Sequence, residues 1–183
     1  MLDKIVESLN RQAPGAVLEA SPVPGDDRLR IERRLIRKVA EILKTSPDLD
    51  FAMLVDLTAV DWLGQPERFE IVYQLNSLSR NIRLRLKVRV PEGEELESVT
   101  GVWAGAEPLE REIYDMFGVR FTGHPKLKRL LMWEGFEGHP LRKDYPLKKH
   151  QPLVPLLTPI RTKDDPPYNW TRFEHKRRLE EDD

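Results

Sequence analysis

The chain contains no cysteine in 183 residues. Disulfides, thiolate nucleophiles and the cysteine ligation on which iron–sulfur clusters normally depend are therefore excluded. Long apolar runs are also missing: the longest, Phe51-Ala52-Met53-Leu54-Val55, falls far short of the ~20 residues that cross a bilayer as a helix. Any membrane association is expected to come through partners. Charge of one sign is absent too, since 30 Lys and Arg face 31 Asp and Glu for a formal net charge of −1. That balance removes a global attraction to DNA, RNA or an anionic membrane, so recognition must be local and no nucleic-acid partner is expected. No Gly-x-Gly-x-x-Gly or Gly-x-x-x-x-Gly-Lys loop occurs, and with it no cradle for a dinucleotide or a nucleoside triphosphate. The histidines His124, His139, His150 and His175 lack the clustered spacing of a metal site, and each reads as a loop hydrogen-bonder. The opening Met1-Leu2-Asp3-Lys4-Ile5-Val6-Glu7 resembles neither a secretory signal nor an acid-poor transit peptide. A cytoplasmic bacterial protein is the simplest expectation.

What remains is 39% hydrophobic and 33% charged, enough for one core under a heavily ionic surface. The length suits a single domain plus an appendage. Leu2, Ile5, Val6 and Leu9 recur at helical spacing up to Pro14-Gly15, so the chain opens with a short amphipathic helix. Val17–Ala20 and Arg28–Ile31 read as strands around a Pro/Gly/Asp loop. Leu35, Ile36, Val39, Ala40, Ile42 and Leu43 form the apolar stripe of a second helix that stops near Pro47.

Three strands follow, over 51–62, 68–75 and 81–90, with hairpin-length connections that predict an antiparallel meander. In the third, Ile82, Leu84, Leu86, Val88 and Val90 alternate with Arg83, Arg85, Lys87 and Arg89, giving one buried and one basic face. The basic face reads as a solvated outer surface that resists edge pairing. A docking surface for an acidic partner is the alternative. Leu96–Ala104 is expected to begin a helix, and Pro108 and Gly118 bracket a further one as its first-turn and C-terminal residues. From Lys126 onward proline is frequent and no period is sustained, so residues 126–183 are expected to form an extended arm after a globular domain at 1–125.

The helix between Pro108 and Gly118 carries Glu110-Arg111-Glu112-Ile113-Tyr114-Asp115-Met116-Phe117. Leu109, Ile113, Met116 and Phe117 share one face, and Arg111 and Asp115 stand four apart, where they can pair. Three acids so close could serve acid/base catalysis, but that needs carboxylates converging on a substrate with separated pKa values, and no convergent partner is evident. The other reading is that they anchor arginines or backbone donors across a subunit junction. A second cluster, Arg142-Lys143-Asp144-Tyr145, lies between Pro140 and Pro146. It is either a solvent-exposed loop or a clamp laid onto a neighbour.

Together with Gly118-Val119-Arg120-Phe121-Thr122-Gly123-His124, Lys128-Arg129-Leu130-Leu131 and Glu137-Gly138-His139-Pro140-Leu141-Arg142-Lys143-Asp144-Tyr145-Pro146, the acidic helix resembles the signature of the 30 kDa subunit family of proton-pumping NADH-quinone oxidoreductase, respiratory complex I. The resemblance implies an α+β fold, with helices on a mixed, largely antiparallel sheet, followed by an extended proline-rich C-terminal arm. It implies a non-catalytic core subunit of the hydrophilic arm of that complex, near the quinone-reducing region. The implied partners are the large hydrogenase-like quinone-site subunit and neighbouring iron–sulfur subunits, at the cytoplasmic face of the bacterial inner membrane. No cofactor is expected on this chain, while the parent complex would use FMN, iron–sulfur clusters and quinone. Glu110, Arg111, Glu112 and Asp115 are then expected at the junction of domain and arm. His139, Arg142, Lys143, Asp144 and Tyr145 are expected to fasten the arm to a partner, a quinone or proton role for His139 being the alternative. Hydrogenase- or ferredoxin-linked relatives of the complex share these motifs, so the electron donor stays open. Two further classes also stay open: a free-standing enzyme using Glu112 and Asp115, and an adaptor outside bioenergetics.

Overall fold

A computed structural model describes residues 2–133 and 135–148. Helix α1 (Leu2–Gln12) buries Leu2, Ile5 and Leu9 and stops before Pro14, after which Gly15 takes a left-handed turn at φ 77°. Strands β1 (Val17–Ser21) and β2 (Asp27–Ile31) form an antiparallel pair. A 3-10 turn at Arg33–Leu35 leads into α2 (Ile36–Thr45), whose stripe Ile36, Val39, Ala40, Ile42 and Leu43 is buried as the periodicity requires. The meander β3 (Met53–Asp61), β4 (Phe69–Ser77) and β5 (Ile82–Val90) follows, antiparallel throughout.

The five strands form one mixed sheet in the order β1-β2-β5-β4-β3, with β2 and β5 parallel. Leu84, Leu86, Val88 and Val90 of β5 and Phe69, Ile71, Tyr73 and Leu75 of β4 join the helices' apolar residues in one core. The fold is α+β, as expected.

Two expectations are corrected here. Arg83, Arg85, Lys87 and Arg89 sit on a strand with neighbours on both sides, so the basic face does not guard an edge. Residues 96–104 do not start a helix: β6 (Glu95–Glu97) pairs in parallel with β7 (Arg120–Thr122), and turns fill the interval. The Glu110 carboxylate accepts from the Val99 amide and the Ser98 hydroxyl, both at 2.7 Å, and so holds that backbone out of a helix.

Helix α3 (Ala106–Phe117) ends at Gly118, left-handed at φ 79°, whose amide bonds the Tyr114 carbonyl. The folded unit does not stop at residue 125. Residues 126–148 belong to the same compact unit, tied to it by side-chain and backbone bonds described below. The remainder of the expected arm, 149–183, lies outside the described residues.

Candidate functional site

A helix leaves its last four carbonyls without intrahelical partners. In α3 all four are satisfied, three of them by the second motif. Gly118 takes the Tyr114 carbonyl, His139 Nδ1 lies 2.9 Å from that of Asp115, the Leu141 amide donates to Met116 at 3.1 Å, and Arg142 Nε donates to Phe117 at 2.5 Å. A carbonyl can only accept, so the Nδ1 of His139 carries the proton. Arg142 also places a cation at the negative end of the helix dipole. His139-Pro140-Leu141-Arg142 is thus the C-terminal cap of the acidic helix, which is why the two blocks belong together.

Gly118 makes the approach possible. A β-carbon there would lie 2.5 Å from the Arg142 guanidinium and 2.6 Å from His139 Nε2.

Asp115 is fully buried and organises the segment between the blocks. Its Oδ2 accepts from three consecutive amides, Leu130 at 3.0 Å and Leu131 and Met132 at 2.8 Å. Its Oδ1 accepts from Arg129 at 2.6 Å. Burial alone would raise the carboxyl pKa; the Met132 amide, the Arg129 guanidinium and the Leu131 and Leu130 amides outweigh it and hold the group ionised, below the usual range. Arg129 also donates to the carbonyls of Phe136 and Gly138, each at 2.9 Å.

Arg111 therefore does not pair with Asp115. It reaches Glu107 at 3.4 Å and donates to the carbonyls of Lys128 and Arg129, so it steadies the same loop from outside. Glu112 is exposed. Glu110 is fully buried, and desolvation pushes its pKa up despite the Ser98 and Val99 bonds. Of the two carboxylates considered for acid/base chemistry, Glu112 is exposed, while both oxygens of the buried Asp115 are already taken by Arg129 and three backbone amides. That geometry offers no acid/base pair.

A second hub lies at the start of β4. Arg68, 5% exposed, forks onto Asp61 with two bonds of 2.9 Å, and its outer nitrogens reach Asp144 at 2.7 and 3.0 Å and Glu92 at 3.0 Å. The Lys143 amide donates to Asp61 at 2.8 Å, and Arg142 reaches Glu92 at 2.8 Å. Both guanidiniums lie over the Phe69 ring, 5.1 and 5.2 Å from its centroid. The hydrogen bond from Arg68 is the main reason the carboxyls of Asp61 and Asp144 are held below their ordinary values.

The side chains of Arg142 and Asp144 and the backbone of Lys143 are thus engaged inside the chain, and Tyr145 stacks on Phe136 with centroids 6.0 Å apart. His139 packs edge-on to Tyr114, half-buried, its pKa lowered first by desolvation and then by the nearby Arg142 and Arg129. Among the described residues no group of three His, Asp or Glu is placed to hold a metal.

Sequence reasoning missed Arg68, Asp61 and Glu92, and it placed Arg129 in the signature without giving it a role. Arg68 opens a strand and looks like an ordinary surface cation; the only hint is that it precedes a run buried on both faces. The closed loop turns other residues outward. Leu130, Leu131, Trp133 and Leu141 are exposed apolar side chains carried by the segment that Asp115 and α3 hold in place.

Residues 29–151 match the sequence model of the family described as "Respiratory-chain NADH dehydrogenase, 30 Kd subunit". The chain is 46% identical over 144 residues to the C subunit of NADH-quinone oxidoreductase from Roseiflexus sp. (strain RS-1), covering 78% of this chain and 83% of that protein. To the corresponding protein of Xanthobacter autotrophicus it is 43% identical over 145 residues, covering 79% and 69%. Among solved structures it is similar to a chain of the membrane-bound sulfane sulfur reductase, an archaeal respiratory membrane complex. There the TM-score is 0.64 and the identity 28%, with 80% of this chain and 86% of that one covered.

Proposed function

Because the chain belongs to the family of the 30 kDa subunit of respiratory-chain NADH dehydrogenase, we propose that it works as a structural subunit of the hydrophilic arm, keeping cofactor-bearing neighbours in register. It is a component of an NADH:quinone oxidoreductase, and the chemistry of that enzyme belongs to other chains. The observation that carries the scaffolding role is the fate of the motif residues. Glu110 and Asp115 turn inward onto backbone and Arg129, so their charges build a rigid platform. That platform presents Leu130, Leu131, Trp133 and Leu141, a surface suited to burial against a partner.

In this reading the interface residues divide into two sets. Glu110, Arg111, Asp115, His139, Arg142, Asp144 and Tyr145 act from within by fixing the platform. Glu112 and Lys143 point their charges outward and meet the partner directly. The partners are the large hydrogenase-like subunit of the quinone site and adjacent iron–sulfur subunits, at the cytoplasmic face of the membrane. FMN, clusters and quinone belong to them. The likeness to a chain of a sulfane sulfur reductase complex favours one second reading, that the same scaffold serves complexes with a different electron donor or acceptor.

Deleting the gene from its host and assaying membranes tests the proposal. Loss of NADH:quinone reductase activity, restored by re-expression, is expected. Unchanged activity in the deletion strain would end it.

A further inference from the structure

We propose that the outer face of the five-stranded sheet docks an extended, acidic segment of a partner subunit, a second interface apart from the α3 platform; this rests on the chain working inside a multisubunit complex. The core lies on the opposite side of the sheet, where Leu84, Leu86, Val88 and Val90 point. On the outer face the register sets like charges directly opposite one another: Arg28 beside Arg85 and Arg30 beside Lys87 across the β2–β5 pair. Directly opposed like charges destabilise a sheet.

The chain's own acids compensate for this only in part. Asp26 is shared by Arg28 at 2.8 Å and Arg85 at 3.1 Å, and Glu70 is shared by Lys87 at 2.8 Å and Arg89 at 3.0 Å. Glu19 holds Arg30. Arg83 is exposed and forms no ion pair among the described residues. Six cations on β2 and β5 thus meet three carboxylates, a local surplus on a chain whose net charge is −1.

The spacing favours an extended polypeptide. Cations on alternate residues of β5 recur every ~6.7 Å, the repeat of same-side side chains along a strand. Toward one end of this face Lys87 and Arg89, with Arg28 and Arg30 of β2, line a groove of about 550 Å3 that Gln65, Pro66 and Glu67 also line. Glu19, Glu67 and Glu70 line the same groove as these cations, so a continuous polyanion such as nucleic acid would meet three carboxylates there, whereas a single chain with spaced carboxylates can meet the cations between them.

The test uses the assembled complex. A photo-crosslinking benzoylphenylalanine is installed at Asn76, which neighbours Arg83 on this face, and the complex is purified from native membranes, illuminated and digested. The expected adduct is a peptide of another subunit rich in Asp and Glu. In the pair Arg83→Glu and Arg85→Glu the adduct should fall about tenfold, the factor that a loss of ~1.4 kcal/mol of binding gives; Arg83→Lys with Arg85→Lys should retain it. Melting temperature separates lost docking from lost folding. Adducts only to lipid or nucleic acid, no adduct while the same group at Leu131 reacts, or a yield unchanged by charge reversal would overturn the proposal. If the unsubstituted chain fails to co-purify with other subunits, the functional reading fails instead.

Discussion

Replacing Asp115 by alanine removes the common acceptor of four donors, the Leu130, Leu131 and Met132 amides and the Arg129 guanidinium. Hydrogen bonds to a charged group contribute ~1.5–3 kcal/mol each, so simple addition gives ~6–12 kcal/mol. That sum is too large, because the 129–132 segment lies near the surface and its freed amides can turn to water. The guanidinium has less freedom, being held by the Phe136 and Gly138 carbonyls. The expected loss is therefore about that of breaking one buried pair, ~3–5 kcal/mol. Asp115→Asn keeps the shape and one good acceptor, and should cost about half as much as alanine. Urea denaturation of the full chain, followed by far-UV circular dichroism, reads both as drops in midpoint at constant slope. Glu112→Ala, on the exposed side of the same helix, should stay within ~0.5 kcal/mol. A loss under ~1 kcal/mol for Asp115→Ala, or asparagine worse than alanine, would refute the account of this carboxylate as the organiser of the loop.

Other outcomes follow from the same geometry. Gly118→Ala meets both a left-handed φ and a clash with Arg142 and His139, whereas Gly123→Ala meets only the φ, with nothing within 4 Å. Gly118→Ala should thus cost ~1 kcal/mol or more beyond Gly123→Ala and raise hydrogen exchange at 139–145, and equal costs would show that the cap is not tight there. Arg68→Ala leaves Asp61 buried without its fork and should lose ~3–5 kcal/mol in thermal or urea melts, with faster proteolysis near Asp144; a loss confined to ~0.5 kcal/mol would contradict the hub. The folded pKa values of Asp61, Asp115 and Asp144 are depressed, so the stability they supply is present above the ordinary carboxylate range and is lost as pH falls through the folded values. Glu110 has the opposite sign: its raised folded pKa makes stability fall as pH rises from the unfolded value through the folded one, and Glu110→Gln should abolish that slope in melting experiments taken upward from the ordinary carboxylate range. Truncation before Pro152 should lower recovery of the assembled complex more than it lowers the melting point of the chain; equal losses would count against a role in assembly for that segment.

Much of this architecture is written in periodicity. The stripe Ile36, Val39, Ala40, Leu43 and the alternation of Leu84 to Val90 each have one way to bury their apolar side, and the helix and strands follow. The site is less legible because its bonds are non-periodic. Arg111 stands at the local spacing that suggests a partner for Asp115, yet the fold supplies Arg129, whose position depends on how residues 118–128 turn. Residues 126–148 carry no strand or helix period, which suggests an arm. Their hydrogen bonds go to the carbonyls of α3 and to Asp61 and Arg68, and such pairings leave no repeat in the sequence. The basic stripe of β5 is plain in the alternation, but strand order, which a single sequence does not reveal, decides that it lies at the centre of the sheet.

The scaffold account is tested most directly by isolating the tagged full chain from its native membranes in mild detergent, identifying what co-elutes by mass spectrometry and assaying the eluate for NADH:quinone reductase. The account predicts flavin- and cluster-bearing subunits in the eluate together with that activity, and both reduced when Asp115→Ala replaces the native chain. Recovery of the chain alone, without membrane partners or activity, would contradict it.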